Sequence, residues 1–180
     1  GQYNDNAEIF WASGACFFVR SDVFKKLNGF DEHFFAHMEE IDFCWRAKNS
    51  GYNIKYAYHS IVYHLGGATL SKVNPKKTYL NFRNSLFAIT KNAKGTLLSI
   101  IFIRLVLDGL AGCKFLLDLK PSHTLAIIKA HFSFYAHLPI LLIQRKSIKN
   151  RIHYYHKTSI VIDFFINKKN TIIMRTINLK

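Results

Sequence analysis

Glu39, Glu40 and Asp42 fall together in FFAHMEEIDFCWR (34–46), with a histidine ahead of them and a tryptophan and an arginine behind. Carboxylates gathered beside an imidazole are a candidate proton-transfer set, because a positioned side chain must hold or take the proton of a reacting group. On a helix that starts near Glu39, the side chains of Glu39, Asp42, Phe43 and Arg46 share one face, and Glu40 projects about 100° away. Helix physics explains part of the cluster. Acidic residues in a first turn complement the helix dipole, and Asp42 with Arg46 makes an i,i+4 pair. Neither effect calls for Glu39 and Glu40 side by side, since adjacent like charges repel.

The elements that must position these residues read as mixed α/β over the first half. WASGACFFV (11–19) is short, apolar and aromatic, which predicts a buried strand. SDVFKKLNGF predicts a short helix with Ser21 or Asp22 as its cap and Gly29 as its stop. The carboxylate helix is expected from about Glu39 to Ser50, with Gly51 as the left-handed residue after it. NIKYAY (53–58) and SIVYH (60–64) read as strands, the second ended by Gly66 and Gly67. Pro75 opens a further helix, KKTYLNFRNSLFAITKN.

From Thr96 the character changes. In TLLSIIFIRLVLDGLAGCKFLLDL (96–119) the charges Arg104, Asp108, Lys114 and Asp118 fall within roughly a 120° arc of a helical wheel, and the rest is apolar. A simple spanning helix needs about 20 largely uncharged residues, so an amphipathic helix lying in the membrane interface, or packed on a partner helix, fits better. SHTLAIIKAHFSFYAHLPILLI (122–143) repeats the theme, with Pro139 expected to kink or end its helix. Behind it, QRKSIKNRIHYYHK carries Arg145, Lys146, Lys149, Arg151 and Lys157 with no acid.

Charge divides the same way. Residues 1–60 have a net charge of −2 and residues 61–180 a net of +16, within a total of +14. The back half suits an anionic partner. Its basic residues border apolar helices rather than alternating with aromatics along a groove, which favours an anionic membrane surface over nucleic acid. Cys16, Cys44 and Cys113 are widely spaced, with no CxxC pattern. That argues against zinc and a disulfide framework, and for a reduced compartment.

The order of features along residues 10–92 resembles the C-terminal part of the catalytic domain of family 2 glycosyltransferases, GT-A-fold enzymes with rhamnosyltransferase-like members. The residues that carry the resemblance are Asn28-Gly29-Phe30-Asp31-Glu32, Phe34-Phe35, Glu39-Glu40, Asp42-Phe43-Cys44-Trp45-Arg46, Gly51-Tyr52 and Val62-Tyr63-His64. The resemblance implies an α/β fold, the C-terminal half of a GT-A domain over 1–94; composition and charge predict an apolar, basic, membrane-associating helical region over 95–180. It implies inverting transfer of a sugar from a nucleotide-sugar donor to a glycan or lipid-linked acceptor in surface polysaccharide synthesis. Glu40 matches the family's catalytic base, usually Asp, with Glu39 as the other candidate. His64 matches a ligand of the donor's divalent metal, Mn²⁺ or Mg²⁺. Gly14, Asp31, Asp42 and Arg83 match substrate-side positions: Gly14 near the donor sugar, Asp31 and Asp42 on the acceptor side, and Arg83 where a guanidinium neutralises diphosphate.

The family's nucleotide-binding half and its Asp-x-Asp motif have no counterpart in the chain, so the fragment alone is expected to be inactive. The expected location is peripheral, on the cytoplasmic face of the bacterial inner membrane. The alternative is a non-catalytic membrane-associated or subunit-interaction module that retains a glycosyltransferase remnant.

Overall fold

Helices carry most of the computed structural model, which describes residues 5–64 and 74–153. They are α1 (Ser21–Lys26), α2 (Glu39–Asn49), α3 (Pro75–Asn92), α4 (Leu97–Leu117) and α5 (Pro121–Ser147), with a single 3-10 turn at Glu32–Phe34. The one sheet among the described residues is a short antiparallel ribbon, β1 (Ala7–Glu8) with β2 (Lys55–Tyr56), in which Ala7 faces Tyr56 and Glu8 faces Lys55.

Local sequence explains most helix ends. Asn74 accepts a hydrogen bond from the Lys76 amide and Pro75 sits at the first helical position of α3, where a missing N–H costs nothing. Beyond α2, Gly51 adopts φ +85° while its amide bonds to the Lys48 carbonyl and the Tyr52 amide to that of Ala47. A side chain at that φ would be strained, so glycine ends the helix. Lys48, on the last turn, pairs with Glu8 at 2.6 Å and ties α2 to the ribbon.

The strand predicted over 11–19 does not form. Instead Ser13 turns the chain: its carbonyl accepts from the Cys16 amide and its hydroxyl from the Ala15 amide. The segment is largely exposed rather than buried. Phe17 alone commits to a cluster, meeting Phe30 and Phe43 at ring separations of 5.9 and 6.2 Å. The 53–58 strand shrinks to Lys55–Tyr56, and 60–64 is unpaired, with Ile61 and Tyr63 open to solvent. Gly66, Gly67 and Lys157 lie outside the described residues. Pro139 does not end its helix, which runs on to Ser147.

The core crosses the expected 94/95 boundary. Phe34, Leu86, Phe87 and Ala88 pack with Phe134 and Leu141 of α5, and Met38, Ile101, Leu105 and Leu138 close around them. Phe34 and Phe87 meet edge to face at 5.8 Å. Thus α5 lies along α3 and backs the turn that leads into the carboxylate pair.

The polar arc of α4 also runs against expectation. Asp108 is 2% exposed, held at 2.7 Å by Arg104 and at 3.2 Å by His131 of α5. Part of the arc therefore joins the two helices instead of facing water. What faces outward is apolar: Leu98, Phe102, Val106, Leu110 and Leu117 on α4, and Leu125, Ile128, Phe132 and Tyr135 on α5. Their i, i+3/i+4 spacing makes an uncovered stripe on each helix. By length and composition α5 is apolar enough to cross a membrane, with 28% of its most apolar window buried in the protein.

Candidate active site

The acidic pair begins α2, and the five residues ahead of it are held in an unusual path. Phe35, His37 and Met38 have φ of 63°, 68° and 71°, left-handed values that cost a non-glycine residue about 1 kcal/mol or more each. Arg83 and Asn84 of α3 hold that path in place. Arg83 donates to the carbonyls of His33 and Phe34 at 3.0 and 2.9 Å, and Asn84 to those of Phe34, Ala36 and His37 at 2.9, 2.8 and 2.7 Å. Two side chains thus satisfy carbonyls that no helix or strand receives. Asn84→Ala is expected to lower stability by about 1–3 kcal/mol through orphaned buried carbonyls, measured by urea unfolding.

This geometry presents Glu39 and Glu40 with unfinished hydrogen bonding. One oxygen of each carboxylate and Nε2 of His37 are shielded from solvent and have no hydrogen-bond partner among the described residues. Burial raises the Glu40 pKa and the charge of Glu39 raises it further, while the backbone amides of Glu40 and Gly14 favour the ionised form. Gly14 faces this side chain: a Cβ there would lie 3.7 Å from Cγ and Cδ of Glu40. Any larger side chain at Gly14 would intrude on the space around the carboxylate. A carboxylate that is half-desolvated, raised in pKa and short of one partner is suited to accept a proton from a hydroxyl.

Behind the pair lies a second group of charges, facing inward. Lys91 Nζ sits 2.5 Å from Asp31 and 2.9 Å from Asp42, and 5.0 Å from the centre of the Phe34 ring. Asp42, fully buried, also receives Arg46 Nε at 2.8 Å and Asn92 Nδ2 at 2.8 Å. Asp31 receives His33 and, from α5, Gln144 Nε2 at 3.0 Å. Burial alone would raise the Asp31 pKa; the Lys91 ammonium and His33 overcome it and hold the group well below the usual carboxylate range.

Of the substrate-side residues expected from the sequence, only Gly14 touches the acidic pair. Asp31 and Asp42 spend their oxygens on protein donors, with side chains 9% and 0% exposed. Arg83 likewise spends its guanidinium on carbonyls, on Asn84 and on the Tyr79 hydroxyl at 3.4 Å. These three act in the structure as supports for the turn and for α2. His64 is exposed at the end of residues 5–64, and among the described residues no three His, Cys, Asp or Glu side chains gather to hold a metal.

Lys91, Asn84 and Gln144 were not singled out from the sequence. Asn84 was the accessible one, since it stands beside Arg83 in mid-helix, just ahead of the apolar run Leu86-Phe87-Ala88, where a polar pair needs buried partners.

No family model matches the chain, and no solved structure matches it. Three partial relatives are named as glycosyltransferases. A rhamnosyltransferase of Escherichia coli, WbbL, is 36% identical over 63 residues, 34% of this chain and 24% of that protein. A low-salt glycan biosynthesis hexosyltransferase of Haloferax volcanii is 31% identical over 78 residues, 43% of this chain and 25% of its own length. An N-acetylglucosaminyl-diphospho-decaprenol L-rhamnosyltransferase of Mycobacterium tuberculosis is 37% identical over 54 residues, 30% of this chain and 18% of that protein. The chain spans a quarter or less of the length of these relatives.

Proposed function

We propose that this chain carries the acceptor-side portion of a family 2, GT-A-fold glycosyltransferase that transfers a sugar with inversion to a glycan or lipid-linked acceptor. The observation that carries the reading is Glu40: a half-buried carboxylate of raised pKa, with one shielded oxygen left without a protein partner, at the start of α2. The glycosyltransferase names of the partial relatives support the same reaction class.

In this reaction Glu40 takes the proton of an acceptor hydroxyl while that oxygen attacks the anomeric carbon of the nucleotide sugar. The bond to the donor diphosphate breaks on the opposite face, and the nucleoside diphosphate leaves with the electron pair. Ionised Glu40 ends protonated and the new glycosidic bond is of inverted configuration. Glu39 keeps the local potential negative, which makes Glu40 the stronger base. Arg83 and Asn84 serve the step indirectly, by fixing the turn from which α2 starts. A divalent ion on the donor diphosphate would take His64 from the described residues and its other ligands from outside them.

Membrane association on the cytoplasmic face of the inner membrane completes the proposal. Helices that join through Arg104, Asp108 and His131 and turn apolar stripes outward gain from an apolar cover, and Arg145, Lys146, Lys149 and Arg151 suit an anionic surface nearby.

The test is a transfer assay on the protein as its gene encodes it. Radiolabelled nucleotide sugars, dTDP-rhamnose among them, are offered with an isoprenoid-diphosphate-linked sugar. Label entering the lipid phase with inverted configuration upholds the reading. No transfer from any donor, with membrane binding intact, would favour a non-catalytic module instead.

A further inference from the structure

Two imidazoles meet where α5 passes the 3-10 turn. The rings of His33, in the turn, and His137, on α5, lie 6.1 Å apart between centres, with their planes at 85°. His137 also packs against Phe87 of the core at 5.2 Å, so its ring has an apolar floor. His33 keeps 38% of its side chain exposed, which leaves the pair open to small solutes.

Each ring is held by its Nδ1. That of His33 lies 2.7 Å from the Asp31 carboxylate, and that of His137 lies 2.8 Å from the Ser133 carbonyl. Carbonyl and ionised carboxylate oxygens only accept, so both Nδ1 atoms carry the proton. In the neutral rings the free lone pair then belongs to Nε2 of each. An imidazole whose Nδ1–H is fixed by a carboxylate or a backbone carbonyl is the usual form of a metal-ligating histidine, because that bond sets ring orientation and basicity. Asp31 is itself fixed by Lys91 and Gln144, so His33 has a firm anchor. The spacing agrees: with Zn–N bonds of about 2.0–2.1 Å, two imidazoles on one ion have centres roughly 5–6 Å apart.

We infer that His33 and His137 bind one divalent ion of the zinc class through their Nε2 atoms, with solvent completing its coordination. Imidazole nitrogen suits zinc, copper and nickel, whereas magnesium and calcium prefer oxygen. The ion is thus chemically distinct from one on a donor diphosphate, and its site uses neither Glu40 nor His64. Its effect is mechanical. His33 belongs to the turn that Arg83 holds ahead of Glu39, and His137 to the helix that backs this turn. One ion joining them pins α5 to the turn at the surface, as Gln144 does through Asp31 further in. Binding can be found or refuted whether or not sugar transfer is seen.

Calorimetric titration of the full chain with zinc, copper and magnesium chlorides tests it, in a C16S/C113S background that removes the two exposed thiols. Zinc is expected to bind at a single equivalent, copper more tightly, and magnesium at least about a hundredfold more weakly. H33A and H137A should each weaken zinc binding about tenfold or more. H59A and H64A, which remove exposed histidines elsewhere, should change it by less than about twofold. Long-range ¹H–¹⁵N spectra of the protein with both histidines present give a readout that depends on no histidine variant folding. There Nε2 of His33 and of His137 should shift together and saturate at the same zinc concentration. Zinc at a hundred times its Kd should also raise Tm by about 5–10 °C, and H137A should lose most of that rise. A shift at only one of the two rings, equal losses in H64A and H137A, or magnesium binding as tightly as zinc would overturn the inference.

Discussion

Replacing Lys91 by Met is expected to cost about 3–5 kcal/mol of folding stability, the range for removing one partner of a buried ion pair. The ammonium is 3% exposed and lies between two carboxylates that are themselves 9% and 0% exposed. Without it, Asp31 and Asp42 face each other across a space that water does not reach. Their remaining donors, Arg46, Asn92, His33 and Gln144, satisfy geometry but leave a surplus of negative charge. Thermal unfolding by circular dichroism should show Tm falling by about 6–20 °C. Adding Asp31→Asn to the Met variant should recover part of the loss, because it removes one of the uncompensated charges. A loss under about 1 kcal/mol would mean that the cluster contributes little.

The same ion group fixes an acid response. Asp31 has a folded-state pKa below its unfolded value, so its contribution is complete above the ordinary aspartate range and is lost as pH falls through the lowered value. Wild-type protein should thus lose stability steadily below about pH 4. In the Lys91→Met variant that slope should flatten, since the main lowering influence on Asp31 has gone.

Glu40→Gln is expected to slow transfer by about 10²–10⁴-fold, the usual worth of a positioned general base, while leaving the fold at least as stable. Both expectations come from one environment. Burial and the neighbouring Glu39 penalise the ionised carboxylate, and a neutral amide escapes that penalty. Because the folded pKa is raised, the native state is favoured at low pH and gives up stability as pH rises through the raised value; Gln removes this dependence. The wild-type rate should rise with pH on a limb displaced above the ordinary glutamate range, and the variant should lack that limb. Glu39→Gln should give a much smaller loss and move the limb downward. A variant with full activity would remove Glu40 from the chemistry.

Features legible in the sequence were those written in neighbouring residues. The α2 start at the acidic pair, the Gly51 stop and the Pro75 start of α3 each follow from a few consecutive side chains. Supports for the pair were not legible, because Asp31, Asp42, Lys91 and Gln144 meet only after α2, α3 and α5 have packed. A single lysine in the last turns of a helix looks like a solvated end until its neighbours are known. Asp42 shows the same effect: it stands beside Glu39 and Glu40 in sequence, but one helical face carries it into the core, where Lys91 and Asn92 meet its oxygens. On α4, the wheel located the charges correctly but not their direction, since a polar arc can face water or a partner helix that offers His131.

Gln144 donates to Asp31 across 113 positions of chain. At about 5–20 residues per second of synthesis, the carboxylate waits on the order of 6–20 seconds for the donor that completes its coordination. Through that interval the turn ahead of Glu39 lacks its α5 wall, and Phe34 has no Phe134 to close over it. The turn therefore matures last, and only once α5, by length and composition apolar enough to cross a membrane, has left the ribosome. A nascent chain that stalls before α5 would be left with a half-built turn, so completion of the turn ahead of Glu39 and arrival of the apolar helix that backs it are timed as one event.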